Sequence, residues 1–258
     1  MFTISDDKLE ALDDILYGEY NYYTIDSSEG KFLAVVSQFN EDLQELKEKL
    51  ISLGLSFVGT RESKPEDWIK NIITEPFEMI DGVIVDPMDH DLSHIKDKIV
   101  LKIPQGLAFG TGLHQTTKMS AAYLKKYIRP GMDVLDLGCG SGILGILAKK
   151  LGANRVLAVD NDPLAVEVAY ENAKTNGVEI EVRLSDLFSN VGGKFDIIVS
   201  NIIAEILVEM LKDAKKFLKE DGFLILSGII LPKVNLFENY NIIEKTVMDE
   251  WNALVIKI

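Results

Sequence analysis

Apolar residues along this chain recur with two different periods, and the switches between them divide it into elements. In residues 7–17, Leu9, Leu12, Ile15 and Leu16 stand at the three- and four-residue spacing of a helix with one buried face. Residues 31–37 (KFLAVVS) form a short β-rich run, and 55–60 suit a further strand. Between them, residues 40–53 return to helical spacing, with Leu43, Leu46, Leu50 and Leu53 on one face. The charged stretch Arg61-Glu62-Ser63-Lys64-Pro65-Glu66-Asp67 reads as a linker, followed by a short helix at 68–73. Residues 77–86 and 98–103 predict the two strands of a hairpin leading into a larger domain.

Beyond residue 115 strands and helices alternate. A helix is expected at 118–127, a strand at 133–137, a helix at 143–151 and a strand at 155–160. Asp162 and Pro163 open the next helix as N-cap and first helical residue, and Asn176-Gly177 closes it. Strands at 180–184, 195–200 and 223–227 follow, with a helix at 204–218 between the last two and a closing pair at 242–248 and 254–258. This alternation specifies an α/β fold, a doubly wound and mostly parallel sheet with helices on both faces. Ligands of such sheets sit beyond the carboxyl ends of the strands. The expected organisation is a small N-terminal α/β unit at 1–60, a linker at 61–76 and a larger domain at 77–258.

Composition narrows the function classes. The apolar share of 47% is ordinary for a chain with a sizeable core, and no apolar run approaches the ~20 residues that span a bilayer. The first residues, Met1 to Asp7, show no signal peptide. Cys139 is the only cysteine, so no intramolecular disulfide is expected and a reducing cytoplasm fits. A net charge of −14 argues against nucleic acid as a partner, because an acidic surface repels phosphates. The same field either steers in a basic protein or merely keeps the chain in solution.

The densest chemistry lies in Val134-Leu135-Asp136-Leu137-Gly138-Cys139-Gly140-Ser141-Gly142. An apolar strand ends in an acid, and three alternating glycines lead into a helix whose first N–H groups are unpaired. Asp160, twenty residues after Gly140, ends the next strand, where an acid accepts both hydroxyls of a ribose. The run from Gly140 to Gly145 matches a dinucleotide fingerprint, but Asp136 just before it would repel a pyrophosphate. S-adenosylmethionine carries no phosphate, and Asp136 attracts its sulfonium and amino groups. The pattern therefore favours a methyl donor over a nicotinamide.

Other residues have two readings each. Asn201 ends a strand at the mouth of the sheet and either orients an incoming amine or forms a turn. Asp186 either accepts from an adenine amino group or caps a turn. Phe109 lies between glycines, and either covers the donor or the amine or packs as a core aromatic. His114 orients its loop or acts as a base, and no second ligand stands at metal spacing. Thr116 and Thr117 cap the helix that follows or bind the donor's carboxylate end. Cys139 is expected to be a small structural residue in a tight turn.

The segment Gly106-Leu107-Ala108-Phe109-Gly110-Thr111-Gly112-Leu113-His114-Gln115-Thr116-Thr117 resembles the signature of the ribosomal protein L-eleven methyltransferases, the PrmA family. Asp136 to Leu144 is similar to that family's glycine loop. Asp160-Asn161-Asp162-Pro163, with Asn172-Ala173 and Asn176-Gly177, is similar to its second motif, and Ser200-Asn201-Ile202-Ile203-Ala204 to its third. Leu226-Ser227-Gly228-Ile229 and Trp251-Asn252-Ala253-Leu254 are also family-like. The resemblance is close over 104–258 and loose over 1–100; Gln105 stands where the family often has proline.

The resemblance implies a class I, Rossmann-like methyltransferase domain behind a small ferredoxin-like one that docks a ribosomal protein. It implies methylation of lysine side chains and the α-amine, with cofactor contacts at Thr117, Gly138, Asp160 and Asn201 and with Phe109 and His114 nearby. Together with Asp136, Gly140, Gly142 and Asp186 these form the expected S-adenosylmethionine site. The expected protein is a cytoplasmic monomer that acts on a basic ribosomal protein, with no membrane or direct nucleic-acid contact. The alternatives are a methyltransferase of the same fold acting on another protein, a small molecule or RNA, or a scaffold that binds the cofactor without catalysis.

Overall fold

The computed structural model describes residues 2–3, 21–27, 30–36, 40–52, 54–59, 73–104 and 110–258. The chain divides into two compact units, Met1–Asn71 and Ile72–Ile258. In the first, β1 (Phe2–Thr3), β2 (Asn21–Ser27), β3 (Gly30–Val36) and β4 (Ser56–Phe57) form an antiparallel sheet ordered β2-β3-β1-β4. The helix α1 (Asn40–Ser52) buries Leu46 and Leu50 one turn apart. The strand expected at 55–60 is only two residues long. The helix expected at 7–17, the linker at 61–67 and most of the short helix at 68–73 lie outside the described residues.

The second unit begins with a strand arrangement that differs from the expected hairpin. Residues 77–86 are not one strand but a complete hairpin, β5 (Phe77–Ile80) and β6 (Val83–Asp86), divided at the turn pair Asp81-Gly82. Asp-Gly is a strong local hairpin signal, here sitting inside an otherwise apolar run. β7 (Ile99–Lys102) then pairs parallel to β6 rather than antiparallel. Residues 87–98 form the crossover this requires. The buried carboxylate of Asp86 anchors its start, accepting from the Met88 N–H at 3.2 Å and the His90 N–H at 2.7 Å, with His90 Nδ1 also at 2.7 Å. On the outer edge of β7, the Asn176 side chain accepts from Lys102 N–H (2.9 Å) and donates to Lys102 C=O (2.8 Å), while Lys150 Nζ donates to Val100 C=O at 2.8 Å.

The main sheet has seven strands in the order β10-β9-β8-β11-β12-β14-β13. They are β8 (Val134–Leu137), β9 (Val156–Asp160), β10 (Glu181–Leu184), β11 (Phe195–Asn201), β12 (Leu218–Ile230), β13 (Asn241–Met248) and β14 (Trp251–Lys257). The first five in that order are parallel, and β14 and β13 close the sheet as an antiparallel pair. Its helices are α2 (Gln115–Tyr127), α3 (Ile143–Lys150), α4 (Pro163–Thr175) and α5 (Ala204–Phe217). Alternate residues of each central strand enter two different cores. Val134, Val199, Ile225 and Val255 pack with residues of α2, α3 and the three-stranded sheet, including Leu124, Ile146 and Val85. Leu135, Leu137, Leu226 and Leu254 pack with Leu207, Met210 and Ala214 of α5. Full burial of a leucine or valine stabilises by about 1.5–3 kcal/mol, so both layers hold the central strands firmly. Among the described residues, no helix is long and apolar enough to cross a membrane.

Candidate active site

The chain runs outward from β8 through β9 to β10, then returns to the other side of β8 with β11 and continues to β12. The switch point therefore lies between β8 and β11, and the loops after both strands open there. The loop after β8 carries Gly138, Gly140 and Gly142, all at positive φ, and Gly142 is the N-cap of α3. At Gly138 (φ 73°) a Cβ would lie 2.5 Å from Cγ2 of Ile202, in the loop after β11. Only glycine lets the two loops approach so closely. The buried Asn172 side chain donates to Ser141 C=O at 2.8 Å, and Ser141 Oγ donates to Gly110 C=O at 2.6 Å. Helix α4 and Gly110 of the 106–117 segment thus both grip the glycine loop. No local spacing in the sequence marks these contacts.

Asp160 ends β9, where its Oδ2 accepts from Gly140 N–H (2.9 Å) and its Oδ1 from Asp162 N–H (3.0 Å). Each oxygen keeps a lone pair for a hydroxyl. Asp162 caps α4 by accepting from Leu164 N–H at 2.9 Å, with Pro163 next, as expected. Cys139 is buried, and burial raises its thiol pKa. Asp186 is exposed in the loop after β10, its N–H donating to Ser189 Oγ at 3.1 Å, and Leu187 beside it takes a left-handed φ of 45°. That conformation is costly for a residue with a branched side chain and recurs at ligand-binding loops.

Asp136 lies inside the main sheet on β8, 1% exposed. Its Oδ2 accepts from Gly145 N–H at 2.8 Å, and its Oδ1 has no hydrogen-bond partner among the described residues. Burial, with a smaller contribution from the Asp160 charge, pushes its pKa up to about 7 against the Gly145 hydrogen bond. A folded pKa above the ordinary 3.8 gives stability that is complete at low pH and lost as pH rises toward 7. Asp136→Asn is therefore expected to gain about 3 kcal/mol relative to the wild-type protein between pH 5 and pH 8. Urea unfolding of both proteins at the two pH values measures this, and a pH-independent difference would remove the effect from Asp136.

At the mouth, Asn201 ends β11 half-buried, and its Nδ2 donates to Thr117 Oγ1 at 3.3 Å. Helix α2 starts three residues earlier than expected. Its N-cap is His114, which accepts from Thr116 N–H at 3.4 Å, so Thr116 and Thr117 lie buried inside the first turn instead of capping it. A histidine is a weak cap by sequence rules, so the boundary was misplaced toward the threonines. His114 Nδ1 lies 2.8 Å from Thr116 Oγ1, and the ring meets Trp251 edge-on at 5.0 Å. Burial lowers the His114 pKa, opposed by the charge of Glu250. Phe109 lies outside the described residues. On the far side of the mouth, Gly228 of β12 (φ 84°) lies against the backbone of Ile202 so closely that a Cβ would fall on the Ile202 carbonyl. Ile202, Gly228 and Trp251 complete a site whose spread over distant strands the sequence spacing did not reveal.

The site thus sets two carboxylates, Asp136 and Asp160, against a glycine loop with narrow clearances, with Asp186 exposed in the loop after β10. This suits a ligand with hydroxyls and positive charge and disfavours a pyrophosphate.

The family model described as Ribosomal protein L11 methyltransferase (PrmA) matches residues 3–258. The chain is 59% identical to the ribosomal protein L11 methyltransferase of Thermosipho africanus, covering 100% of this chain and 97% of that one. It is 54% identical to the protein of the same name from Thermosipho melanesiensis, covering 100% and 96%. Among solved structures it is similar to a ribosomal protein L11 methylase from Lactobacillus delbrueckii subsp. bulgaricus, with a TM-score of 0.65, 35% identity and coverage of 70% of this chain and 97% of that one. A 16S rRNA methyltransferase of T. thermophilus, at 22% identity and a TM-score of 0.51 over 58% of this chain and 45% of that one, shares the fold. With a family match along nearly its whole length and relatives above half identity, the chain belongs to the ribosomal protein L11 methyltransferase family.

Proposed function

We propose that the protein transfers methyl groups from S-adenosylmethionine to amines of ribosomal protein L11, on lysine side chains, the N-terminal α-amine or both. The observation that carries the reading is Asn201, held by Thr117 at the end of β11, across the switch point from a glycine loop tied to Asp160. Bound S-adenosylmethionine supplies an electrophilic sulfonium methyl. Asp160 would accept from the ribose hydroxyls and Asp186 from the adenine amino group, and Gly138, Gly140 and Gly142 would leave room for the ligand against the backbone. Asp136, buried behind the loop, would be favoured in its ionised form by the positive charge of a bound donor.

An ammonium has no lone pair to attack with, so a lysine of ordinary pKa near about 10.4 must first lose a proton. Entry into a partly desolvated mouth lowers that value, and water takes the proton. Asn201 Oδ1, with Nδ2 committed to Thr117, accepts an N–H of the neutral amine and aims its lone pair. His114, half-buried and with Nδ1 against Thr116, serves the loop rather than the proton transfer.

Asp160→Ala is expected to weaken donor binding about ten- to a hundredfold, since a charge-assisted hydrogen bond contributes about 1.5–3 kcal/mol. Calorimetric titration decides, and unchanged affinity counts against the assignment. We place recognition of L11 in the N-terminal unit, which contains none of the expected catalytic motifs. A fragment beginning near Phe77 is expected to bind the donor and lose methylation of L11. Full methylation by that fragment would put recognition in the catalytic domain instead.

A further inference from the structure

Four side-chain hydroxyls form a stripe along one side of α2, at Thr117, Ser120, Tyr123 and Tyr127. Together they contact three strands of the sheet. Thr117 Oγ1 accepts from Asn201 of β11 (3.3 Å), and Ser120 Oγ is 2.6 Å from Ser227 Oγ of β12. Tyr123 OH is 2.7 Å from Thr246 Oγ1, and Tyr127 OH donates to Glu244 at 2.5 Å, both on β13. The stripe lies beside Met119, Ala121 and Leu124, which pack in the apolar core. Ser120 and Ser227 are each wholly buried, and no ligand role accounts for them. Ser227 is the register partner of Asn201 in the adjacent strand, and Ser120 lies one turn along from Thr117.

Apolar packing alone lets a helix settle in several nearby registers, whereas a buried hydroxyl pair accepts only one. We propose that Ser120 and Ser227 are positioning residues for methyl transfer: their hydrogen bond fixes α2 against β12 so that Thr117 meets Asn201. This inference rests on the reading of Asn201 as the residue that orients the amine. The pair touches no reactant and acts through the Thr117–Asn201 contact.

The test is Ser120→Ala/Ser227→Ala, which removes both hydroxyls and so leaves no unpaired one in the core. The expected result is an unchanged donor dissociation constant and KM for L11, with kcat about tenfold lower. In an Asn201→Ala background the same pair of changes is expected to have no further effect on kcat. Ser120→Cys, which keeps a side chain of similar shape with a larger sulfur and weakens the hydrogen bond, is the second variant should the double change impair folding, and a smaller fall in kcat is expected. Full kcat in either well-folded variant overturns the proposal, as does an equal tenfold fall in the Asn201→Ala background. If Asn201→Ala itself turns over normally, the functional reading of Asn201 fails and this inference with it. A slow Asn201→Ala beside a normal Ser120→Ala/Ser227→Ala overturns this inference alone.

Discussion

Asn201→Ala is expected to lower kcat by about two to three orders of magnitude while leaving the donor's dissociation constant within about tenfold. The amide sits at the end of β11, half-buried, with one of its two functional ends already committed to Thr117. What remains is an acceptor at the mouth, whose value is greatest when the amine's lone pair must be aligned. Interactions realised mainly in the transition state appear in kcat and only weakly in ground-state binding. Single-turnover rates at saturating donor and L11 measure the effect. A normal rate removes Asn201 from the chemistry and returns it to the role of a turn residue.

Gly228→Ala is expected to cost about 3 kcal/mol or more of stability and to lower turnover more than a hundredfold. Two penalties combine. Alanine pays for the left-handed φ of 84°, and its Cβ collides with the carbonyl of Ile202, a backbone atom with no rotamer to escape into. Relief requires moving the segment just after Asn201, so the folding defect and the catalytic defect share one cause. Calorimetric melting should show a fall in Tm of roughly 6–12 °C. An alanine variant with wild-type Tm would show that the β11 loop yields more easily than its packing indicates.

How much of this was legible beforehand depended on the range of the interaction. Asp162 and Pro163 announced α4 because a cap acts over three residues, and the glycine loop announced itself because its turn and its acid are contiguous. The place of Asp160 at the end of β9 was legible because the spacing of one strand, one helix and the next strand is nearly constant in this architecture. The hairpin at Asp81-Gly82 was missed although its signal is local, because the apolar residues on both sides masked it. The parallel partner of β6, the seat of Gly228 against Ile202 and the grip of Asn172 on Ser141 join residues far apart in the chain, and no periodicity encodes them. His114 as a cap was hidden by the preference for hydroxyl and carboxylate residues at that position.

The outer edge of β7 has a consequence for how the protein behaves at high concentration. A free strand edge is a template on which another chain can add itself and start an aggregate. Here Asn176 meets both backbone groups of Lys102 as a neighbouring strand would, and Lys150 takes the carbonyl of Val100. The side chain of a helix cap imitates a missing strand, so an incoming chain finds those groups already occupied. The small sheet can therefore end in mid-surface without recruiting copies of itself, a protection that costs the fold only one amide and one ammonium.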